Sequence, residues 1–228
     1  LKSLAGIEGL TQLRRLSVTR TRLNSLPETG ALQGLRVLNL RQHSLRSLAG
    51  IEGLAQLEEL RADYGELSGI REIASLKQLK SLSLRDNRLT DVKELRHLKQ
   101  LTELYIDGNR LTDIGAVKGL KNLNVLSATD NRLVRLPKLK WGPYETLDFR
   151  GNRLSERELN ARLKKLYLDN IRFNVAGSGA RKAIESRLKE QIMFQDSYRI
   201  RLTSPRDFQK ISKDTRRIAG RIKRSGPY

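Results

Sequence analysis

Apolar residues recur along this chain in a fixed phrase rather than in a simple alternation. The phrase is L-x-x-L-x-L-x-x-N-x-L. Its first position falls on Leu13, Leu35, Leu57, Leu79, Leu101, Leu123 and Tyr144, spaced by 22 residues five times and 21 once. Leu79-Leu82-Leu84-Asn87-Leu89 and Leu101-Leu104-Ile106-Asn109-Leu111 are two copies, and a further apolar residue follows three positions on, as in Leu48, Ile70, Val92 and Ile114. The L-x-L centre predicts a short strand with alternate side chains turned inward. A self-similar period of this length predicts an α/β solenoid. Each turn adds one parallel strand to a concave face and a short helical or irregular segment to the convex side. One turn cannot bury its apolar face alone, so neighbours must stack. The column Asn87, Asn109, Asn131, Asn152 is expected to turn inward and bond backbone groups of adjacent turns. Thr21, His43 and Gly65 take its place earlier, so the ladder should be weaker there.

This phrase resembles the leucine-rich-repeat family, in its short 22-residue class. A regulatory subunit of protein phosphatase 1 belongs to that class, and bacterial internalins share the repeat length. The resemblance covers about residues 1–154, seven repeats, and implies the fold while saying little about the partner. Residues 1–10 nearly copy residues 45–54. The first residues therefore read as the back half of a turn whose strand and N-terminal cap are missing, and the natural protein is expected to continue upstream.

Regularity ends after Leu154. Pro137 and Pro143 flank Trp141 in a loosened convex segment. Ser155-Glu-Arg-Glu158 reads as a capping box opening a helix to about Asp169, and residues 155–176 are expected to cap the core. Residues 177–228 are expected to form a basic helical tail, with a second helix over 180–194 and a third from Ser204-Pro205. Phe208, Ile211, Ile218 and Ile222 share one face of that third helix, and basic residues occupy the others.

Charge then sharpens the functional reading. The 228 residues carry a net charge of +20. Residues 1–154 contribute 26 Lys/Arg against 17 Asp/Glu, and residues 155–228 contribute 19 against 8. Such an excess predicts an anionic partner. On the outward strand positions, basic Arg15, Arg20, Arg41, Arg61, Arg85 and Arg150 oppose acidic Glu59, Asp63, Asp86, Glu103, Asp107, Asp130 and Asp148, and the face grades from basic to acidic. Tyr64 and Tyr105 sit among them as candidate anchors. A mixed face with aromatics suits a protein partner, contacted through Arg41, Arg61, Asp63, Tyr64, Arg85, Asp86, Tyr105, Asp107 and Asp130. The residue after the asparagine position forms a rim column of Arg22, Arg88, Arg110, Arg132 and Arg153. With Lys210, Lys213, Arg216, Arg217, Arg221, Lys223 and Arg224 of the tail, this rim is the candidate anion-binding surface.

Candidate chemistry adds little. The chain has no cysteine and no Asn-x-Ser/Thr sequon, so disulfides and thiolate metal sites are excluded and an intracellular setting is expected. No run of 18 apolar residues occurs. The chain opens on Leu1 rather than Met, which leaves a preceding leader open. His43 stands in the asparagine column and reads as structural, and His97 has no catalytic partner. Gly177-Ser-Gly179 lacks the strand and spacing of a phosphate cradle. No enzyme, cofactor, metal or small-molecule substrate is expected. Two readings remain. One is an interaction module, or scaffold, that binds a protein through its concave face. The other is a structural subunit of an anionic assembly, a ribonucleoprotein such as a ribosome or a microtubule, anchored by the basic tail and rim, with RNA or an acidic surface as partner. The tail has three readings: packing on the solenoid, gripping nucleic-acid phosphates, or lying on an anionic membrane, for which it has few bulky anchors.

Overall fold

In the computed structural model the apolar phrase folds as a stack of turns. The structure describes residues 2, 4–137, 146–155 and 158, and the backbone of residues 171–174, 193–195 and 199–201. Seven strands, one per repeat, run in parallel: β1 Arg15–Ser17, β2 Val37–Asn39, β3 Glu59–Arg61, β4 Ser81–Ser83, β5 Glu103–Tyr105, β6 Val125–Ser127 and β7 Thr146–Asp148. Their central leucines align in register, from Leu16↔Leu38 to Leu126↔Leu147. The step of 21 residues into β7 is absorbed before the strand, so the register survives the shorter repeat. Tyr144, where the phrase begins its last copy, lies with Trp141 and Pro143 outside the described residues.

Short 3-10 turns cover the convex side at Pro27–Ala31, Arg71–Ser75, Lys93–His97 and Gly115–Gly119. Five residues per turn leave no room for an α-helix, and i→i+3 bonding suits so short a span. The interior is a single stack of apolar columns. Leu38, Leu60, Leu82, Leu104, Leu126 and Leu147 are fully buried, as are Leu45, Leu67, Leu89, Leu111 and Leu133 from the next column. Thr29 is buried with them, and its single hydroxyl proton is shared between the carbonyls of Leu26 and Gly50, whose oxygens lie 2.9 and 3.0 Å from Oγ1. At the β1 end the stack opens: Leu13 and Leu16 are half-buried and Leu10 is 52% exposed.

The asparagine column bonds as the sequence implies. The Asn109 Oδ1 accepts the Leu89 N–H at 3.0 Å, while its Nδ2 donates among the carbonyls of Leu84, Ile106 and Asp107. Asn87, Asn131 and Asn152 repeat the arrangement with Leu67, Leu111 and Leu133. Each amide therefore clips its own turn to the one before. Upstream the clip changes form. Gly65 has no side chain to accept the Leu45 N–H, so the His43 Nδ1 accepts it at 3.0 Å from within its own turn. The imidazole extends into the space that Gly65 leaves open, where a Cβ on Gly65 would collide with it. One turn earlier, the Thr21 hydroxyl accepts the Leu23 N–H at 3.4 Å, a long bond.

The position before the asparagine also repeats. Arg20, Gln42, Tyr64, Asp86, Gly108, Asp130 and Gly151 all hold positive φ between 52° and 68°. That left-handed conformation costs about 1 kcal/mol at a non-glycine residue, and the stack imposes it on five of them. Gly108 and Gly151 also leave room for the carboxylates of Asp86 and Asp130, which a Cβ would strike.

The C-terminal region partly departs from the expected helices. Glu158 is helical, and its N–H donates to the Ser155 hydroxyl at 3.2 Å, as a capping box requires. The Glu158 Oε1 accepts the Leu136 N–H at 3.0 Å, which ties the helix start to the last convex segment. The expected helix to Asp169 lies outside the described residues. Beyond it, β8 Ile171–Asn174 pairs in parallel with β7, and β10 Arg199–Arg201 pairs antiparallel with both β8 and β9 Met193–Gln195. The described part of the extension is thus strand, including residues 193 and 194, which were expected at the end of a helix. The edge of β7 carries unpaired backbone groups, and β8 satisfies them. The expected third helix, from residue 204, lies outside the described residues.

Two outcomes test this architecture. Asn109→Ala removes a buried acceptor and donor together and should cost about 2–3 kcal/mol in chemical denaturation, against less than about 1 kcal/mol for Thr21→Ala. Burial holds the His43 imidazole below its ordinary value, against the opposing pull of the Ala62 backbone and Asp63. The unfolded chain therefore takes up the proton first. Stability should be flat above about pH 6.5 and fall as the pH drops below it. His43→Asn should lose that part of the slope.

Candidate functional site

The concave surface is built from the two outward residues of each strand and from the two positions beyond the buried residue that follows it, as Asp63 and Tyr64 lie beyond Ala62. Its charged residues are largely engaged with one another. The Asp63 side chain is only 3% exposed. Its Oδ1 accepts the Ser83 hydroxyl at 2.5 Å and the Arg85 N–H at 3.0 Å, and its Oδ2 lies 3.3 Å from the Arg41 Nε. Two turns on, Asp107 repeats the motif. One carboxylate oxygen takes the Ser127 hydroxyl and both the N–H and hydroxyl of Thr129, and the other takes the Arg85 Nε at 2.9 Å. Burial alone would raise the Asp107 carboxyl. The hydrogen bonds from Ser127, Arg85 and Thr129 outweigh it and hold the group below the usual carboxylate range.

These pairs fix the rings. The Arg41 guanidinium lies 5.4 Å from the Tyr64 ring centre, and the Arg85 guanidinium 4.2 Å from that of Tyr105. Arg41 is held on one side by the buried Asp63 and Arg85 by the half-buried Asp107, and each offers its plane to a tyrosine. Tyr64 is 46% exposed, and Tyr105 is half-buried. Arg61 pairs with Glu59 at 2.6 Å, and Arg150 with Asp148 at 2.6 Å. The Asp148 hydrogen bond is the largest of the influences that raise the Arg150 pKa.

The candidate contact residues therefore divide into three groups. Tyr64, Tyr105, Arg41, Arg61 and Arg85 come together on the face. Asp63 and Asp107 do not act as free contacts, because their oxygens are committed to the next turn's backbone, to serine and threonine hydroxyls and to arginine. Asp86 and Asp130 stand exposed at left-handed positions beside the strands. Partial desolvation raises the Asp86 carboxyl, and Asp107, Asp63 and Asp130 push it the same way against Arg85. The sequence offered a signal for the committed aspartates: Asp63 and Asp107 are each followed 20 residues later by serine, the residue that caps them.

The rim column also divides. Arg22 is separated from the rest by Ser44 and Glu66. Glu66 lies 3.1 Å from Arg88, so Arg88 is paired with a carboxylate of the same column. Arg110, Arg132 and Arg153 are exposed. The basic tail residues Lys210, Lys213, Arg216, Arg217, Arg221, Lys223 and Arg224 lie outside the described residues. Among the described residues no His, Asp and Glu side chains gather in a group able to hold a metal ion.

Comparison with known proteins agrees with this construction. The model of the leucine-rich repeat region family matches residues 2–171. No curated protein sequence matches the chain. Among solved structures, an internalin (inlF) from Listeria monocytogenes is 24% identical with a TM-score of 0.67, over 77% of this chain and 53% of that one. Internalin C2 from the same organism is 22% identical with a TM-score of 0.58, over 76% and 66%. The leucine-rich-repeat ectodomain of a plant membrane receptor kinase from Arabidopsis thaliana, in complex with Casparian strip integrity factor 2, is 22% identical with a TM-score of 0.56, over 76% and 23%. The chain thus spans about half the length of the first internalin. At these identities the likeness is one of fold.

The buried carboxylate motif gives a direct test. Asp107→Ala should cost about 2 kcal/mol, because it strips a charged acceptor from Ser127, Thr129 and Arg85. Because the folded carboxyl is held low, its contribution is present above about pH 4 and is lost as the pH falls through the folded value. Denaturation curves at pH 7 and pH 3 should therefore differ less for the variant than for the unchanged protein.

Proposed function

Because the chain belongs to the leucine-rich-repeat family, we propose that it is a non-catalytic interaction module that receives a protein partner on its concave face. The observation that carries this reading is the pair of arginine–tyrosine stacks, Arg41 on Tyr64 and Arg85 on Tyr105, set in the fold before any partner arrives. A stacked ring loses little freedom on binding, so its contact energy is not spent on ordering it. Tyrosine and arginine are also the side chains that most often dominate protein interfaces. The internal pairing of Asp63, Asp107 and Asp148 lowers the face's bare charge, which favours a partner of mixed polarity over a phosphate backbone. The reading as a subunit of a ribonucleoprotein or of a microtubule-associated assembly draws on the basic rim and on the basic tail, and the tail lies outside the described residues.

A photo-crosslinking side chain at position 64 should capture a nuclease-resistant protein complex, and the same group at Lys118 on the convex side should not. In the purified complex, Tyr64→Ala and Tyr105→Ala should each weaken affinity about tenfold or more while the circular dichroism spectrum is unchanged. Equal capture from both positions, or nuclease-sensitive capture, would sink the proposal.

A further inference from the structure

The two edges of the concave face carry their charge differently. Where the chain enters the strands, Arg36, Glu58 and Lys80 alternate on successive turns, with contacts of 2.7 and 2.8 Å. The Lys80 ammonium and, after it, Arg36 hold the Glu58 carboxyl below its ordinary value. Where the chain leaves the strands, the upstream half is balanced too: Glu66 lies between Arg46 and Arg88, at 3.6 and 3.1 Å. Downstream, the pairing stops. Arg110, Arg132, Arg135 and Arg153 are all exposed, and no carboxylate among the described residues comes within ion-pair distance of them.

The positions of these arginines are fixed. The N–H groups of Arg110, Arg132 and Arg153 donate to the carbonyls of Leu89, Leu111 and Leu133 at 2.8–2.9 Å. Each residue directly follows a ladder asparagine whose amide is bonded on both sides. Three guanidiniums therefore start from backbones about 5 Å apart, the spacing of the strands themselves. Like charges at that separation repel, and a line of counter-charge relieves them. Between Arg132 and Arg135 sits Val134, 50% exposed and one of only three large apolar side chains exposed among the described residues.

We propose that this downstream half-edge is a docking strip for an acidic, extended segment of another protein. Carboxylates on one side of an extended peptide recur about every 7 Å, within reach of long arginine side chains rooted at the strand spacing. Guanidinium forks take carboxylates in two-point contacts. Val134 gives an apolar residue of the same segment a place in the middle. Single-stranded nucleic acid is the less suitable occupant. Its binding leans on rings that stack on bases, and the described residues place Tyr64 and Tyr105 on the concave face rather than on this edge.

The test uses the full chain and two fluorescent probes of equal charge, a peptide alternating glutamate and valine and an oligouridylate. The variant Arg110→Glu/Arg132→Glu/Arg153→Glu is compared with Arg96→Glu/Lys118→Glu/Lys121→Glu, which makes the same change of charge on the convex side. The strip predicts about a tenfold or greater loss of peptide affinity in the first variant, as expected for three exposed ion pairs, and less than twofold in the second. It also predicts that peptide-induced amide shifts concentrate at Arg110, Arg132, Val134 and Arg153. Arg→Gln at the three rim positions serves if the reversal variant melts early. Equal losses in both variants would overturn the proposal in favour of bulk charge. Tighter binding of the oligouridylate, lost with the rim variant, would overturn it in favour of nucleic acid.

Discussion

A turn of this chain buries a row of leucines only if another turn lies against it, and the hydrogen bonds that hold the turns in register decide everything else. The side-chain amide of each ladder asparagine accepts an N–H from the turn before and donates to carbonyls on both turns. Such a group satisfies buried backbone polarity that no strand or helix reaches. The left-handed residue precedes the clip and an outward residue follows it, and the positive φ persists at Arg20, Gln42 and Tyr64 where no asparagine follows. The positive-φ column, the concave face and the arginine edge thus share the interval at which the turns stack.

That constraint explains why so many charged residues of the concave face serve the fold. Asp63 and Asp107 look like surface contacts on a list of outward positions. The strands are only three residues long, and past their ends the chain has polar groups that the ladder of strands no longer covers. The two carboxylates fill this gap by accepting the N–H groups of Arg85 and Thr129. Having done so, they anchor Arg85 from both sides, and Arg85 in turn lies on Tyr105. Structural and interaction roles here form one chain of contacts.

The sequence made the repeat, the strand centres, the asparagine ladder and the structural place of His43 legible, because each depends on periodic identity. It concealed features that depend on a neighbour one turn away. Gly65 reads as a lapse in the ladder until the His43 ring is seen to fill its space. Glu66 was hidden in a column read for its arginines. The strands at residues 171–174, 193–195 and 199–201 follow no repeat. Ile171-Arg-Phe-Asn174 and Arg199-Ile-Arg201 alternate apolar and polar residues, whereas Met193-Phe-Gln195 does not, and runs of three or four residues are too short to stand out beside helical signals.

The changing ladder also gives the stack a direction. In a solenoid each turn interacts only with its neighbours, so stability is a sum of local couplings. Those couplings are full between the turns joined by Asn87, Asn109, Asn131 and Asn152. They are reduced where the side chains of Thr21 and His43 accept N–H groups of their own turns rather than of the turn before. The molecule therefore resembles a zipper with one loose end. Opening should begin at β1 and travel toward β7, with the His43–Gly65 junction as the first point of resistance. A force or a chaperone acting on the β1 side would meet a graded response, and the turns that carry Tyr105 and the exposed arginines of the downstream edge would be the last of the described turns to come apart.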